Sequence, residues 1–119
     1  MAVKAQSSDT LLGNKYVRPV LTIIVPCYNE QEVLHETAEK LSGTLLRLIS
    51  EQIIDEKSTL LFVDDGSSDN TLSILRQFAN QDKRIHYISF SRNFGKEAAM
   101  LAGLQTAQGE YIIILDADG

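Results

Sequence analysis

The chain has 119 residues, 44% of them hydrophobic and 23% charged, with no Trp. That is one domain's worth of an ordinary α/β composition. A formal net charge of -5 argues against non-specific affinity for nucleic acid or an anionic membrane surface. One cysteine, Cys27, excludes an internal disulfide and a cysteine-based zinc site and points to a reducing compartment. There is no apolar run as long as a membrane span and no signal-peptide core at the N-terminus, so the expectation for this chain alone is a soluble cytoplasmic protein.

Residues 1–18 are polar and aperiodic and read as a mobile leader. Val20-Leu-Thr-Ile-Ile-Val25 reads as the first strand, ended by Pro26, which has no N–H to give a neighbour. Asn29 is placed to cap the following helix, with Glu32 completing a capping-box-like pair. Leu34, Ala38, Leu41, Leu45 and Leu48 give that helix one apolar face, and Gly43 is a site where its end could fray or bend. Leu60-Leu-Phe-Val63 is the second strand. It runs into Asp64-Asp-Gly-Ser-Ser-Asp-Asn-Thr71, turn chemistry with Ser68 or Asp69 as the next helix cap. Leu72, Leu75, Phe78 and Ala79 form the buried face of that second helix. Ile85 to Phe90 alternates with His86 and Ser89, as an edge or near-edge strand does. A helix from about Lys96 to Ala107 carries Ala98, Ala99, Ala102 and Gly103, small enough for close approach to a sheet. Tyr111-Ile-Ile-Ile-Leu115 is the last strand, apolar enough to be buried on both faces.

Helices alternating with strands require parallel pairing. The expected architecture is therefore an α/β, Rossmann-like, mostly parallel doubly wound sheet with helices on both faces. Every loop after a strand then opens on one rim, where such sheets hold ligands. That rim collects Glu30, Asp64, Asp65, Asp116 and Asp118, with Arg92 and Lys96 as cations. Asp116 and Asp118 alone read more readily as a solvated acidic turn than as oxygen ligands for Mg2+ or Mn2+. Like charges about 4 Å apart repel by roughly 4 kcal/mol at an effective dielectric of ~20, so five acids on one rim favour a metal with a nucleotide. Cys27 reads as a small buried residue, and His35 and His86 as structural or surface groups.

Ile24-Val-Pro-Cys-Tyr-Asn-Glu30, Val63-Asp-Asp-Gly-Ser-Ser-Asp-Asn-Thr71 and Leu115-Asp-Ala-Asp118, in this order, resemble the inverting family-2 glycosyltransferases of GT-A fold. Ser91-Arg-Asn-Phe-Gly-Lys-Glu-Ala-Ala-Met-Leu-Ala-Gly103 resembles the branch that glycosylates polyprenyl phosphate, of the dolichyl-phosphate mannosyltransferase and bactoprenol glucosyltransferase type. The resemblance covers Val20 to Asp118. It implies residues 19–119 to be the nucleotide-sugar-binding part of a glycosyltransferase domain, truncated after the D-x-D motif. It places Pro26, Tyr28 and Glu30 at the base and ribose, and Asp65 on the nucleoside with Val63 lining the same place; Asp64 holds the turn as an alternative. It assigns Asp116 and Asp118 to a Mg2+ or Mn2+ ion bridging the pyrophosphate, Ala117 to the space against the nucleotide, and lets Arg92 and Lys96 offset phosphate charge near a helix N-terminus.

The implied partners are a UDP- or GDP-linked sugar donor, a polyprenyl-phosphate acceptor, and a membrane reached by a further C-terminal part, on its cytoplasmic side. The catalytic base is not among these residues, and the chain alone is expected to bind donor without turnover. Two other readings stay open at the level of residues. Val63-Asp-Asp and Leu115-Asp have the look of a receiver-like phosphate-binding signalling module, although receivers place paired acids after the first strand. A sugar nucleotidyltransferase shares metal use and a related fold, but normally carries a Gly-rich basic loop where this chain has Tyr28-Asn-Glu30.

Overall fold

The computed structural model describes residues 2–4, 11, 12 and 15–116, with side chains from 17 to 116. The elements in chain order are β1 (Ala2–Lys4), β2 (Leu11–Leu12), β3 (Lys15–Tyr16), β4 (Leu21–Cys27), α1 (Leu34–Ser50), β5 (Thr59–Asp64), α2 (Thr71–Gln81), β6 (Ile85–Ser89), α3 (Lys96–Thr106) and β7 (Tyr111–Ile114). Strands β2 and β3 pair with each other, and the rest form one five-stranded sheet in the order β1-β7-β4-β5-β6. β4, β5, β6 and β7 are mutually parallel, and β1 runs antiparallel to β7 with Ala2 opposite Ile113. Polar composition gives no sign of β1, which lies inside the segment read from sequence as a leader.

The order follows from side-chain chemistry. β4 is buried at every position, and only a central strand has both faces and both edges covered. β6 is buried only at Ile85 and more open along the rest of its length, and it occupies an edge of the sheet, as its less apolar residues predict. Helices α1 and α2 cover one face: Leu34, Leu45 and Leu75 pack with Ile23, Val25, Leu60 and Phe62. Helix α3 covers the other, where Ala99 meets Ile24, Leu61, Val63, Ile112 and Ile114. Gly103 explains how closely α3 lies on the sheet, because a Cβ there would come within 2.6 Å of Ile24 Cγ2. Burying one Leu or Phe side chain contributes roughly 1.5–3 kcal/mol, so these two clusters hold the layers together.

Four local expectations are corrected. Pro26 does not end its strand: β4 runs on to Cys27, with Pro26 opposite Val63 and Cys27 opposite Asp64 in the ladder. Asn29 is not the cap of α1, which starts at Leu34 after a turn in which the Val33 and Leu34 N–H groups donate to the Glu30 carbonyl. The fraying expected at Gly43 is not seen: α1 continues through it to Ser50. Leu115 lies beyond the last strand and is 36% exposed, although its N–H still donates to Ile24 O at 2.9 Å. Reading Asp69 as a cap of α2 captures a real bond: Asn70 precedes the helix, yet Asp69 Oδ1 accepts from the Thr71 N–H at 2.9 Å.

From β4 the chain steps outward through β5 to β6, and the crossover through α3 then brings β7 back to the other side of β4. The sense of progression reverses between β4 and β7. In an open parallel sheet, that reversal opens a crevice beyond the carboxyl ends of the two strands.

Candidate functional site

A cleft of about 210 Å3 lies at that crevice, lined by Pro26, Cys27, Tyr28, Glu30, Asp65, Lys96, Ala99 and Asp116. Four chain segments build it. β4 ends in Pro26 and Cys27 and hands over to Tyr28 and Glu30, β5 ends at Asp64 and presents Asp65, α3 brings Lys96 and Ala99 on its first turn, and β7 leads to Asp116. Of the residues expected on one rim, Glu30, Asp65, Lys96 and Asp116 line this cleft, and the buried Asp64 does not. Val63 is fully buried in the core beneath α3 and is not among the lining residues. Arg92 places its guanidinium over the Phe94 ring at 4.4 Å and is likewise absent from the lining. Ala117 and Asp118 lie outside the described residues.

The two acids after β5 have separate duties. Asp64 is 1% exposed; its Oδ1 accepts from the Ser67 N–H at 3.1 Å and its Oδ2 from the Ser89 hydroxyl at 2.9 Å. It ties the turn to the end of β6, which is the turn-holding alternative. Asp65 is 4% exposed, and its N–H donates to Cys27 O at 2.9 Å. Its Oδ1 accepts from the Phe94 N–H at 2.8 Å, and its Oδ2 from the Gly95 N–H at 3.1 Å and Asn93 Nδ2 at 3.0 Å. A buried carboxylate is tolerated only with such charge-assisted donors. Here they also fix the loop that precedes α3 and so aim Lys96 into the cleft. Gly66, at φ +68°, lets that loop pass directly over the turn: a Cβ would lie 2.1 Å from the Arg92 carbonyl carbon.

At the cleft mouth Lys96 Nζ lies 2.7 Å from Asp116 Oδ2, with the two side chains 54% and 42% exposed. At that exposure the pair contributes less than about 1 kcal/mol to stability. Its meaning is electrostatic: the site can balance Asp116 with a cation and can also offer a cation to an anion. Asp116 fits a hard divalent ion as an oxygen ligand, and among the described residues no group of three or more His, Cys, Asp or Glu could hold one without further ligands. Burial, reinforced by the Asp64 and Glu30 carboxylates, pushes the Cys27 thiol far above its ordinary range. It is thus neutral at physiological pH and a wall residue rather than a nucleophile.

Sequence reasoning missed the groups that hold the Tyr28–Gln31 loop. The Asn29 N–H donates to Ser67 Oγ at 2.9 Å, the Glu30 N–H to Thr71 Oγ1 at 3.0 Å and the Gln31 N–H to Asp69 Oδ2 at 3.3 Å. In return Asn29 Oδ1 accepts from the Ser68 N–H at 2.8 Å and the Asp69 N–H at 3.3 Å, and Gln31 Oε1 from the Asn70 N–H at 3.0 Å. Asn29 holds φ +53°, a left-handed conformation that Asn tolerates better than most residues. Burial works against ionisation of Asp69, but bonds from the Thr71 hydroxyl, the Thr71 N–H and the Gln31 N–H outweigh it and hold the carboxyl below its usual range. The one signal that could have found this is the run of short polar side chains in Ser67–Thr71, which exceeds what a single helix cap uses.

A doubly wound sheet with this cleft at its reversal point has the arrangement in which open α/β sheets hold their ligands. The sequence profile of glycosyl transferase family 2 matches residues 22–119, and the chain belongs to that family. It is 42% identical over 106 residues to the uncharacterized glycosyltransferase YkoT of Bacillus subtilis, covering 87% of this chain and 32% of that protein. It is 35% identical over 99 residues to an undecaprenyl-phosphate 4-deoxy-4-formamido-L-arabinose transferase of Proteus mirabilis, covering 82% of this chain and 28% of the relative. The chain thus spans about a third or less of the curated relatives it matches.

Among solved structures it resembles the mannosyltransferase PcManGT from Pyrobaculum calidifontis in complex with GDP-Man and Mn2+. The TM-score is 0.67 at 30% identity, over 95% of this chain and 31% of that one. Residues 1–349 of TarS from S. aureus, in complex with UDP-GlcNAc, give a TM-score of 0.62 at 26% identity, over 83% of this chain and 26% of that one. The architecture is the nucleotide-binding part of a GT-A fold. Family membership decides against the receiver-like and nucleotidyltransferase readings. Among the described residues no helix is long and apolar enough to cross a membrane.

Proposed function

We propose that this chain is the donor-binding part of a glycosyltransferase that takes a nucleoside-diphosphate sugar with a divalent ion and serves a polyprenyl-phosphate acceptor with inversion at the sugar carbon. The observation that carries the reading is the convergence of Pro26, Tyr28, Glu30, Asp65, Lys96 and Asp116 on one cleft at the sheet's reversal point.

In this reading Pro26 and the half-exposed Tyr28 ring wall the base, and Glu30 accepts from a base N–H or a ribose hydroxyl. Asp65 keeps the loop before α3 in place and has residual acceptor capacity toward the nucleoside. Lys96 leaves Asp116 for the pyrophosphate when donor arrives, at the N-terminus of α3, where the helix dipole already favours an anion. Asp116 and Asp118 hold Mg2+ or Mn2+, with Ala117 between them against the nucleotide; such an ion supplies Lewis-acid stabilisation to the departing diphosphate. A phosphate acceptor is ionised at neutral pH and needs less help from a base than a hydroxyl does.

Support for the donor comes from the GDP-Man and UDP-GlcNAc complexes of the structural neighbours, and for the acceptor from the undecaprenyl-phosphate transferases among the relatives. The chain spans about a third of those relatives' length; we assign donor binding to it, and we propose that transfer and association with the cytoplasmic face of a membrane draw on regions those relatives have in addition.

The test is an amide NMR titration with GDP and with UDP, each with and without Mg2+. Metal-dependent shifts at Tyr28, Glu30, Asp65 and Lys96 with one nucleotide are the expected result and name the base. A dispersed spectrum that ignores both nucleotides would overturn the reading.

A further inference from the structure

We infer that Ser67, Asp69 and Thr71 are positioning residues for donor recognition, acting through the backbone of Asn29–Gln31. The inference rests on the donor-binding reading above and extends it to residues that do not line the cleft.

Three consecutive N–H groups of the loop that carries Tyr28 and Glu30 are each taken by a side chain from the turn before α2 or from its first residue: Asn29 by Ser67, Glu30 by Thr71 and Gln31 by Asp69. A loop after a strand has no ladder to satisfy its backbone, and its conformation is set by whatever accepts from it. Here the acceptors are fixed in turn. Thr71 is fully buried and donates its hydroxyl proton to Asp69 Oδ1 at 2.6 Å, which leaves its lone pairs for Glu30. Asp69 is bound on both oxygens, Oδ1 by Thr71 and Oδ2 by Gln31. The reciprocal bonds from Asn29 and Gln31 back to the turn make the two loops one body.

A merely structural clamp would act on stability alone. This clamp sits directly behind the groups that face the cleft, so loosening it lets Tyr28 and Glu30 sample orientations that do not fit a nucleoside. That conformational cost appears in affinity.

The experiment measures binding of GDP and UDP with Mg2+ to the wild-type chain and to Thr71→Val, Asp69→Asn and Ser67→Ala. All are titrated at a temperature where each gives a dispersed spectrum. Ile85→Val, at the start of β6 on the opposite rim, serves as the control for lost stability. Thr71→Val and Asp69→Asn are expected to weaken the preferred nucleotide about tenfold, roughly the loss of one well-made hydrogen bond, and Ser67→Ala less. Ile85→Val keeps wild-type affinity. In a Glu30→Gln background, Thr71→Val should cost clearly less than in wild type, because both act through the same residue.

Folded variants that bind within twofold of a binding wild type overturn the positioning role and leave the donor reading standing. So do variants whose effects simply add to that of Glu30→Gln. A folded wild type that binds neither nucleotide removes the donor reading itself, and this inference with it.

Discussion

At Gly66 the backbone has φ +68°, and a Cβ built there would lie 2.1 Å from the Arg92 carbonyl carbon and 2.4 Å from both the Arg92 oxygen and the Asn93 nitrogen. Gly66→Ala therefore drives its Cβ into the Arg92–Asn93 peptide group, and no rotamer change can relieve it. Ordinary contact begins near ~3.5 Å, so the Ser91–Gly95 loop has to retreat by more than about 1 Å. A shift of that size breaks the bonds from Phe94, Gly95 and Asn93 to Asp65. The left-handed backbone costs an L-residue about 1–2 kcal/mol. Bonds to a charged acceptor contribute about 1.5–3 kcal/mol each, partly replaced by water at this half-open site. The expected loss is about 3–5 kcal/mol, a large fraction of a typical domain's stability of about 5–15 kcal/mol.

Urea unfolding followed by circular dichroism measures the loss, and amide shifts of Phe94 and Gly95 show whether the loop has moved. Where the variant still folds, nucleotide affinity should fall as well, because Lys96 leaves with the loop. A loss below about 1 kcal/mol, with Phe94 and Gly95 unshifted, would refute the argument that these two turns are in backbone contact.

Gly43→Ala provides the opposite sign. Nothing lies within 4 Å of a Cβ there, so removing a mid-helix glycine should stabilise the chain by about 0.5–1 kcal/mol in the same urea assay. Tyr28 is 47% exposed, and Tyr28→Ala should leave the urea midpoint nearly unchanged. If the ring stacks on the base, isothermal calorimetry should show nucleotide affinity falling at least fivefold, at about 1–3 kcal/mol per stacked base. Lys96→Met should weaken diphosphate binding and flatten its dependence on salt, read as the slope of affinity against ionic strength. For Asp69 the folded carboxyl titrates below its unfolded value of 3.8. Its bonds therefore stabilise the fold above that value, and the contribution is lost as pH falls through the lower folded value. Asp69→Asn should flatten the acid limb of the urea midpoint against pH below about pH 5.

The layers were legible because their signals are periodic. The unbroken burial of Leu21–Cys27 and the four-and-three spacing from Leu34 to Leu48 each repeat with the geometry of the element they form. The rim was legible in composition, since acids at strand ends converge once the strands are parallel. What the sequence hid is the bonding between turns. Asn29 is a good cap by type, yet its carboxamide serves Ser68 and Asp69, residues about forty positions away that no local rule connects to it. The family resemblance makes Asp65 a nucleoside contact, and the structure shows first that it holds the loop before α3. β1 was invisible because a three-residue edge strand carries too little pattern to stand out.

The place of β7 has a consequence for how the chain reaches its native state. β7 sits between β1 and β4, both of which precede it in the chain, and it follows the other described elements. Until it arrives, the fully buried strand β4 shows one open edge to solvent, with its N–H and C=O groups in place and apolar side chains on both sides. An exposed apolar edge is where foreign strands add, and pairing at such long sequence separation forms slowly. The interval before β7 docks therefore exposes the chain to aggregation at the β4 edge, and low temperature or early chaperone capture should raise the soluble yield.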